Sequence, residues 1–105
     1  MSKTKITTGL TLCLLAAAAG WAQGDAKAVF LDKCSVCHGE DGVGKTAKGK
    51  KLKVKDVHVT SKTESEADMI KIVTEGKGKD MDAFGKDLNA AQIKAVVQYY
   101  RGLAK

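Results

Sequence analysis

The chain has 105 residues, with 18 lysines and arginines against 12 aspartates and glutamates, and it contains no proline. A chain of this length forms one domain with a modest core, and such domains often depend on a disulfide, a metal or a cofactor for stability. The net charge of +6 is a mild excess that suits an acidic protein partner, and it does not indicate a nucleic-acid binder.

The chain begins with the pattern of a secretory signal peptide. Lys3 and Lys5 give it a positive start, and residues 10–19 form an apolar run. Small residues then lead to Ala22, so we expect cleavage after Ala22 and a single domain over 23–105. Cleavage removes two lysines, which lowers the net charge to +4, and export of this kind predicts a periplasmic protein.

Three other interpretations of this segment stay open. Cleavage after Gly24 is one of them. An uncleaved anchor is the second, but the apolar run is too short to span a bilayer comfortably, and we expect no stable membrane insertion after cleavage. Lipid attachment at Cys13 is the third, although Leu10, Thr11 and Leu12 are not the small residues expected before a lipidated cysteine.

Three segments have the apolar spacing of amphipathic helices. The first covers 25–36. The second starts near 63–66, which has capping-box form, and it stops at Gly76. The third opens at Asn89, with Gln92 three residues later. The apolar positions are Ala26, Val29, Phe30, Cys34 and Cys37 in the first, Met69, Ile70, Ile72 and Val73 in the second, and Ile93, Val96, Val97, Tyr100 and Leu103 in the third. No segment alternates convincingly as a strand, so the predicted fold class is all-α.

Two stretches between these helices are predicted as loops. The first covers 39–62 and is rich in glycine and lysine, and the second covers 76–87 and has the same character. The first would be long for a structureless connection in so small a domain. We therefore expect the loops to wrap a large apolar group that the sequence does not encode.

The five residues 34–38 form a C-x-x-C-H motif, the signature of covalent haem attachment. Two thiols at this spacing reach the same edge of the porphyrin and add to its two vinyl groups. The histidine that follows supplies an imidazole nitrogen to the iron. We predict one covalent haem c bound by Cys34 and Cys37, with His38 as an axial ligand of the iron.

Three alternatives compete with haem attachment at this motif. A thioredoxin-like C-x-x-C normally opens a helix after a strand, whereas this pair ends a predicted helix. A zinc site needs a fourth ligand besides Cys34, Cys37 and His38, and the spare candidates His58 and Asp56 do not form a second paired knuckle. A plain disulfide would leave the space between the two loops unexplained.

The sequence resembles the class I, single-domain bacterial cytochromes c, of the small kind that includes cytochromes c6 and c-551/c-553. This resemblance implies three main helices and long loops wrapped around one haem, with Phe30 packed against Tyr99 or Tyr100 where the first and last helices cross. It also implies a soluble, monomeric one-electron carrier that is not an enzyme. The matching positions are Phe30, the run 34–44, the run 72–79, then Met81, Ala83 and Phe84, and the run 96–101.

The resemblance also points to the second axial ligand. Met81 stands just before Ala83, where the family places its ligating methionine, but Asp82 replaces the proline that usually follows, and Asp80 precedes it. Met69 lies inside a predicted helix and is expected to be core. A thioether sulfur on the iron would raise the reduction potential relative to a second histidine.

Two further features concern the axial ligands of the iron: a second histidine, and a second departure from the family's sequence. His58 is an alternative ligand if the stretch 54–59 forms an extended segment over the haem edge. In the family, the proline of a Gly-Pro-x-Leu motif offers its carbonyl to the proximal histidine, and that position here is Lys50. A backbone carbonyl does not depend on its side chain, so we expect Lys50 to accept from His38.

Eight lysines lie in the two predicted loops. Their default role is a solvated surface, and the alternative is a positive rim around the haem edge that attracts an acidic redox partner. The rival to an electron carrier is a haem protein with an open or bis-histidine iron that acts as a sensor or as part of an enzyme. The loop lysines are Lys45, Lys48, Lys50, Lys51, Lys53 and Lys55 in the first loop, and Lys77 and Lys79 in the second.

Overall fold

The computed structural model describes residues 22–105, so the predicted signal peptide falls, apart from Ala22, outside the described residues. The described part is helical, with no strand and one isolated β-bridge between Lys77 and Met81, which confirms the all-α prediction. The helices are α1 (Ala22–Val29), a π-helical segment (Phe30–Cys34), α2 (Ser35–His38), α3 (Ala47–Leu52), α4 (Val57–Thr63), α5 (Glu66–Glu75) and α6 (Ala90–Gly102). None of these is long and apolar enough to cross a membrane.

The three predicted helices are present, with differences at their ends. The first runs without a break over 22–38 because α1, the π-helical segment and α2 follow one another directly. The predicted capping box at 63–66 is placed two residues early: Ser65 is the cap of α5, and its hydroxyl accepts the backbone N–H of Asp68 at 3.0 Å. Thr63 instead ends α4.

The capping box of α6 is confirmed. The Asn89 side chain accepts the backbone N–H of Gln92 at 2.8 Å, and the Gln92 side chain accepts the backbone N–H of Asn89 at 2.9 Å. Two N–H groups that the first helical turn cannot satisfy are therefore paired locally. This fixes where the last helix begins.

The first predicted loop contains two short helices, so the prediction that 39–62 is a loop is wrong over α3 and α4. Thr46 caps α3 through its hydroxyl, which accepts the backbone N–H of Gly49 at 2.9 Å. Asp56 caps α4 in the same way, accepting the N–H of His58 at 2.8 Å. The second predicted loop, between α5 and α6, does lack a helix.

The core forms where α1 and α5 both pack against α6. One buried cluster consists of Met69, Leu88, Ile93 and Val97. A second contact joins the first helix to the last, since the Phe30 ring lies 5.3 Å from the Tyr99 ring and 6.1 Å from the Tyr100 ring. The predicted aromatic crossing is confirmed, and Phe30 touches both tyrosines.

Candidate haem site

The attachment motif begins at the last residue of a π-helical turn. The N–H of Ser35 donates to the carbonyl of Phe30, five residues back, which leaves the carbonyl of Leu31 without its usual helical donor. The hydroxyl of Ser35 fills that position by donating to the Leu31 carbonyl at 2.6 Å. Cys34 ends the π-helical segment, and Cys37 and His38 follow within the next helical turn.

The two motif cysteines are half-buried free thiols. Burial raises the pKa of the Cys34 thiol to about 11, against an opposing effect of Lys33, and Cys37 adds to the increase. A dithiol oxidoreductase needs the reverse, a cysteine whose pKa is lowered so that the thiolate forms near neutral pH. The thioredoxin-like alternative is therefore not supported.

The zinc alternative fails on geometry. Among residues 22–105 no group of three or more His, Cys, Asp and Glu side chains is placed to hold a metal ion. Cys34, Cys37 and His38 thus do not form a ligand cluster by themselves. The candidate fourth ligands, Asp56 and His58, are bonded to each other.

His38 is suited to bind iron. Burial lowers the pKa of its imidazole, so the ring is neutral near pH 7, which is the form that ligates a metal. Its Nδ1 atom is buried and has no hydrogen-bond partner among the described residues. Two thiols and a neutral imidazole within consecutive turns of one helix fit covalent haem with a proximal histidine.

The expected hydrogen bond from His38 to the Lys50 carbonyl is absent. Lys50 lies within α3, and its carbonyl accepts the backbone N–H of Lys53 at 3.3 Å. The physical reason is the short helix that the sequence did not predict, because helix formation turns this carbonyl along the α3 axis. Without proline at this position, α3 can form.

Two residues that the sequence analysis did not select join α3 to the motif. The Thr46 hydroxyl donates to the carbonyl of Val36 at 2.7 Å while it caps α3. Gly49 packs so closely that a Cβ atom there would collide with the Cys37 carbonyl oxygen. A hydroxyl residue before a helix is a recognisable cap signal, but it becomes visible only once α3 itself is predicted.

Met81 lies in the loop between α5 and α6 and is half-buried. The bridge closes a tight turn: the Lys77 N–H donates to the Met81 carbonyl at 2.9 Å, and the Met81 N–H donates back at 3.3 Å. Gly76, with φ of +83°, permits this turn, because a Cβ there would lie 2.8 Å from the Met81 carbonyl oxygen. Asp80 and Asp82, on either side, are exposed.

The segment after Met81 is anchored to the end of α5. The Phe84 N–H donates to the Val73 carbonyl at 2.8 Å, and the Gly85 N–H donates to the Thr74 carbonyl at 3.1 Å. The loop is therefore closed by backbone bonds although the family's proline is missing. α5 and the motif helix share α6 as their support.

The other two candidate iron ligands do not suit that role. Met69 is a core residue, 5% exposed, and its sulfur lies 3.7 Å from the Arg101 guanidinium, as predicted. His58 lies on α4 rather than on an extended segment, and its side chain is 55% exposed. Its Nδ1 atom is 2.7 Å from Asp56.

Tyr100 also packs against His38, a contact that was not predicted from the sequence. Its ring lies 5.2 Å from the imidazole, with the two planes at 67°. Its hydroxyl is 3.0 Å from the hydroxyl of the buried Thr60. Burial raises the pKa of Tyr100, and the Thr60 hydrogen bond opposes that rise.

The comparisons with known proteins agree with this geometry. Residues 22–99 match the model of the family described as cytochrome c oxidase, cbb3-type, subunit III. The chain belongs to this family. It is therefore a small c-type cytochrome domain, and such a domain carries covalently bound haem c and functions in electron transfer.

Two solved structures are similar to this cytochrome domain. The KustC0563 c-type cytochrome is 29% identical, with a TM-score of 0.71, and the match covers 77% of this chain and 99% of that chain. A tyrosine-to-phenylalanine mutant of that cytochrome is 30% identical, with a TM-score of 0.69, and the match covers 75% of this chain and 98% of the mutant chain. No curated protein gives a significant match.

Proposed function

We propose that this cytochrome is a soluble, monomeric one-electron carrier in the periplasm. Its single haem c would be bound covalently by Cys34 and Cys37 and ligated by His38 and Met81. The observation that carries the proposal is the placement of both thiols and a partly buried imidazole within consecutive turns of one helix. The family match supports it, because c-type cytochromes with His and Met ligands are electron carriers.

The two attachment cysteines and the two axial ligands have separate roles. Bound haem supplies an iron that exchanges one electron between its ferric and ferrous states. Cys34 and Cys37 fix the porphyrin edge to the motif helix, and His38 offers a nitrogen that burial keeps unprotonated. Met81 offers a soft sulfur from a half-buried turn, and hydrophobic surroundings with thioether ligation favour a high potential.

We propose that the protein is not an enzyme. Two side chains that occupy both axial positions leave no place where a substrate could bind the metal. The turn that carries Met81 is closed on both sides by backbone hydrogen bonds, which supports a ligand that stays in place. The exposed, Asp56-bonded position of His58 disfavours a bis-histidine iron.

We also propose that the protein is of the small kind that includes cytochromes c6 and c-551/c-553. The contact of Phe30 with Tyr99 and Tyr100, four residues before the first motif cysteine, supports this assignment. So does the loop 76–87, which carries Met81 two residues before Ala83 and three before Phe84.

The partner is proposed to be a redox protein with an acidic docking surface. All eight loop lysines are exposed, and none of them forms an ion pair within residues 25–105. Free positive charges on both loops would speed the encounter with an acidic surface. Neutralising Lys50, Lys51 and Lys53 with glutamine should slow electron exchange with an acidic redox protein several-fold at low salt. At high salt the difference should vanish.

Absorption spectra of both redox states test the ligand assignment. The protein should be purified from cells that also express a haem-attachment system. We expect a low-spin ferrous spectrum, the long-wavelength sulfur-to-iron band in the ferric form, and no carbon monoxide binding by the ferrous protein. A high-spin ferric spectrum with rapid carbon monoxide binding would show an open iron and favour the sensor or enzyme alternative.

A further inference from the structure

The imidazole of His38 has no hydrogen bond that would set its rotation. Its Nδ1 atom is buried without a partner in residues 22–105, and the Lys50 carbonyl, its predicted acceptor, is used within α3. In metal sites of proteins, the second ring nitrogen of a ligating histidine usually has an acceptor that fixes the ring. Packing must therefore take over that task for His38.

The aromatic ring packed on His38 is that of Tyr100, at 5.2 Å and 67°. A near-perpendicular contact of two aromatic rings is a favoured geometry, and it restricts rotation of the smaller ring. The Tyr100 ring also lies 6.1 Å from the Phe30 ring, with the planes 30° apart. The imidazole is thus one member of a three-ring cluster that reaches from α2 through α6 to the π-helical segment.

A hydrogen bond from α4 holds the far end of Tyr100. Its hydroxyl is 3.0 Å from the Thr60 hydroxyl, and Thr60 is 7% exposed. α4 is itself held against the first loop, because the Val57 N–H donates to the Gly42 carbonyl at 2.9 Å. A partly buried hydroxyl pair is costly to break on one side only, since the remaining partner loses its hydrogen bond.

We infer that Tyr100, held by Thr60, is a positioning residue that sets the rotation of the His38 imidazole and shields it from water. The inference rests on the proposed role of His38 as an iron ligand. Rotation of a ligating imidazole and solvent access to it both affect the electronic state and potential of the iron. Thr60 thus influences the site from α4 without touching it.

Four variants of the haem-loaded protein test this. Tyr100→Leu removes the ring, whereas Tyr100→Phe and Thr60→Val each remove one hydroxyl of the pair. Tyr99→Leu is the matched control, because it removes a neighbouring tyrosine that also contacts Phe30. The readouts are the paramagnetically shifted proton resonances of His38 in the ferric protein and the reduction potential.

We expect Tyr100→Leu to move and broaden the His38 resonances and to lower the potential, because water near the imidazole stabilises the more highly charged ferric centre. Tyr100→Phe and Thr60→Val should give smaller shifts in the same direction. The double variant Tyr100→Phe/Thr60→Val should move them no further than either single change, because both break the same bond. Tyr99→Leu should lower stability and leave the resonances in place.

Two results would overturn the inference: wild-type His38 resonances and potential in Tyr100→Leu, or an equal shift in Tyr99→Leu. If Tyr100→Leu does not fold, unchanged resonances in both Tyr100→Phe and Thr60→Val would have the same meaning. Failure of the proposed function is distinguishable, because it would show in the unmodified protein as missing covalent haem or a high-spin ferric spectrum.

Discussion

The attachment motif and the Met81 loop are held in place by different forces. The motif lies on a continuous helix over 22–38, and packing surrounds it: the Thr46 hydroxyl, the close approach of Gly49 and the Tyr100 ring. The loop 76–87 has no helix; a few backbone hydrogen bonds and the packing of Phe84 against the core hold it. We therefore predict that changes to the packing around the motif destabilise the whole domain, whereas a change at Met81 alters iron ligation and leaves haem attachment intact.

Removal of both motif thiols is expected to have the largest effect. In Cys34→Ala/Cys37→Ala, no thioether can form, so haem should be lost completely when the protein is denatured. The measurement is haem-dependent peroxidase staining after denaturing electrophoresis. Without bound haem the small core should also be unstable, since the porphyrin completes it.

Cys13→Ala is the matched control for the thiols. It removes a third cysteine from the segment predicted to be cleaved, so staining and yield should equal those of the unmodified protein. Covalent staining that persists in the double variant would rule out Cys34 and Cys37 as the attachment points.

Met81→Ala separates the two regions. It should remove the sulfur-to-iron band, lower the reduction potential and allow carbon monoxide to bind, because one axial position opens. Haem content should not change, since the motif side is untouched. The spectrum, the potential and carbon monoxide binding measure these effects.

Met69→Leu is the control within the same part of the chain. Met69 is 5% exposed in the α5–α6 core, and a swap of similar volume should cost about 1 kcal/mol of stability or less. Its spectrum should keep the sulfur-to-iron band. If Met69→Leu loses that band and Met81→Ala keeps it, the ligand is assigned to the wrong methionine.

Glycine substitutions compare packing in the two regions directly. Gly49→Ala should destabilise the protein by about 1–3 kcal/mol, because the new Cβ collides with the Cys37 carbonyl. Gly78→Ala, in the Met81 loop, meets nothing within 4 Å. It should cost only about 1 kcal/mol for its φ of +58°. Denaturant unfolding of both variants measures the difference between these two positions, and an equal loss would contradict the close packing of Gly49 against the motif helix.

The sequence was sufficient where a signal is local. The C-x-x-C-H motif and the Asn89–Gln92 capping box each lie within five residues, and the structure contains that capping box. The helix α3 was missed because Ala-Lys-Gly-Lys-Lys-Leu is short, has no apolar periodicity and carries a glycine in its interior. It forms because it packs against the motif helix: the Val36 carbonyl accepts the Thr46 hydroxyl, and Gly49 lies close to the Cys37 carbonyl.

Contacts between distant segments could not be predicted from the sequence either. Helical periodicity predicted that Tyr100 faces the core, but it could not show that the ring meets His38 or that Thr60 holds its hydroxyl 40 residues away. A periodic pattern gives the buried face of an element and says nothing about which partner lies opposite. The second axial ligand was predicted only from the resemblance to the family, because a loop has no periodic apolar pattern that would single out Met81.

The smallest predicted effect concerns α4, which carries Thr60. Asp56 caps this helix, and bonds from the backbone N–H and the ring of His58 lower the pKa of its carboxyl below the ordinary value of 3.8. A carboxyl whose pKa is lower in the folded state stabilises that state fully above pH 3.8, and this contribution is lost as the pH falls through the folded-state pKa. The pair is exposed, so the effect should be slight.

Asp56→Asn tests this coupling, because asparagine caps a helix about as well as aspartate but does not titrate. Between pH 5 and pH 2, the melting temperature of the unmodified protein should fall slightly more than that of the variant. Above pH 5 the two curves should run parallel, and thermal denaturation followed by circular dichroism gives both. Because α4 supports the Tyr100 hydroxyl and leaves the Met81 loop alone, the sulfur-to-iron band should be the same in both proteins across this range. A variant that loses this band at a higher pH than the unmodified protein would show that α4 and the Met81 loop are coupled after all.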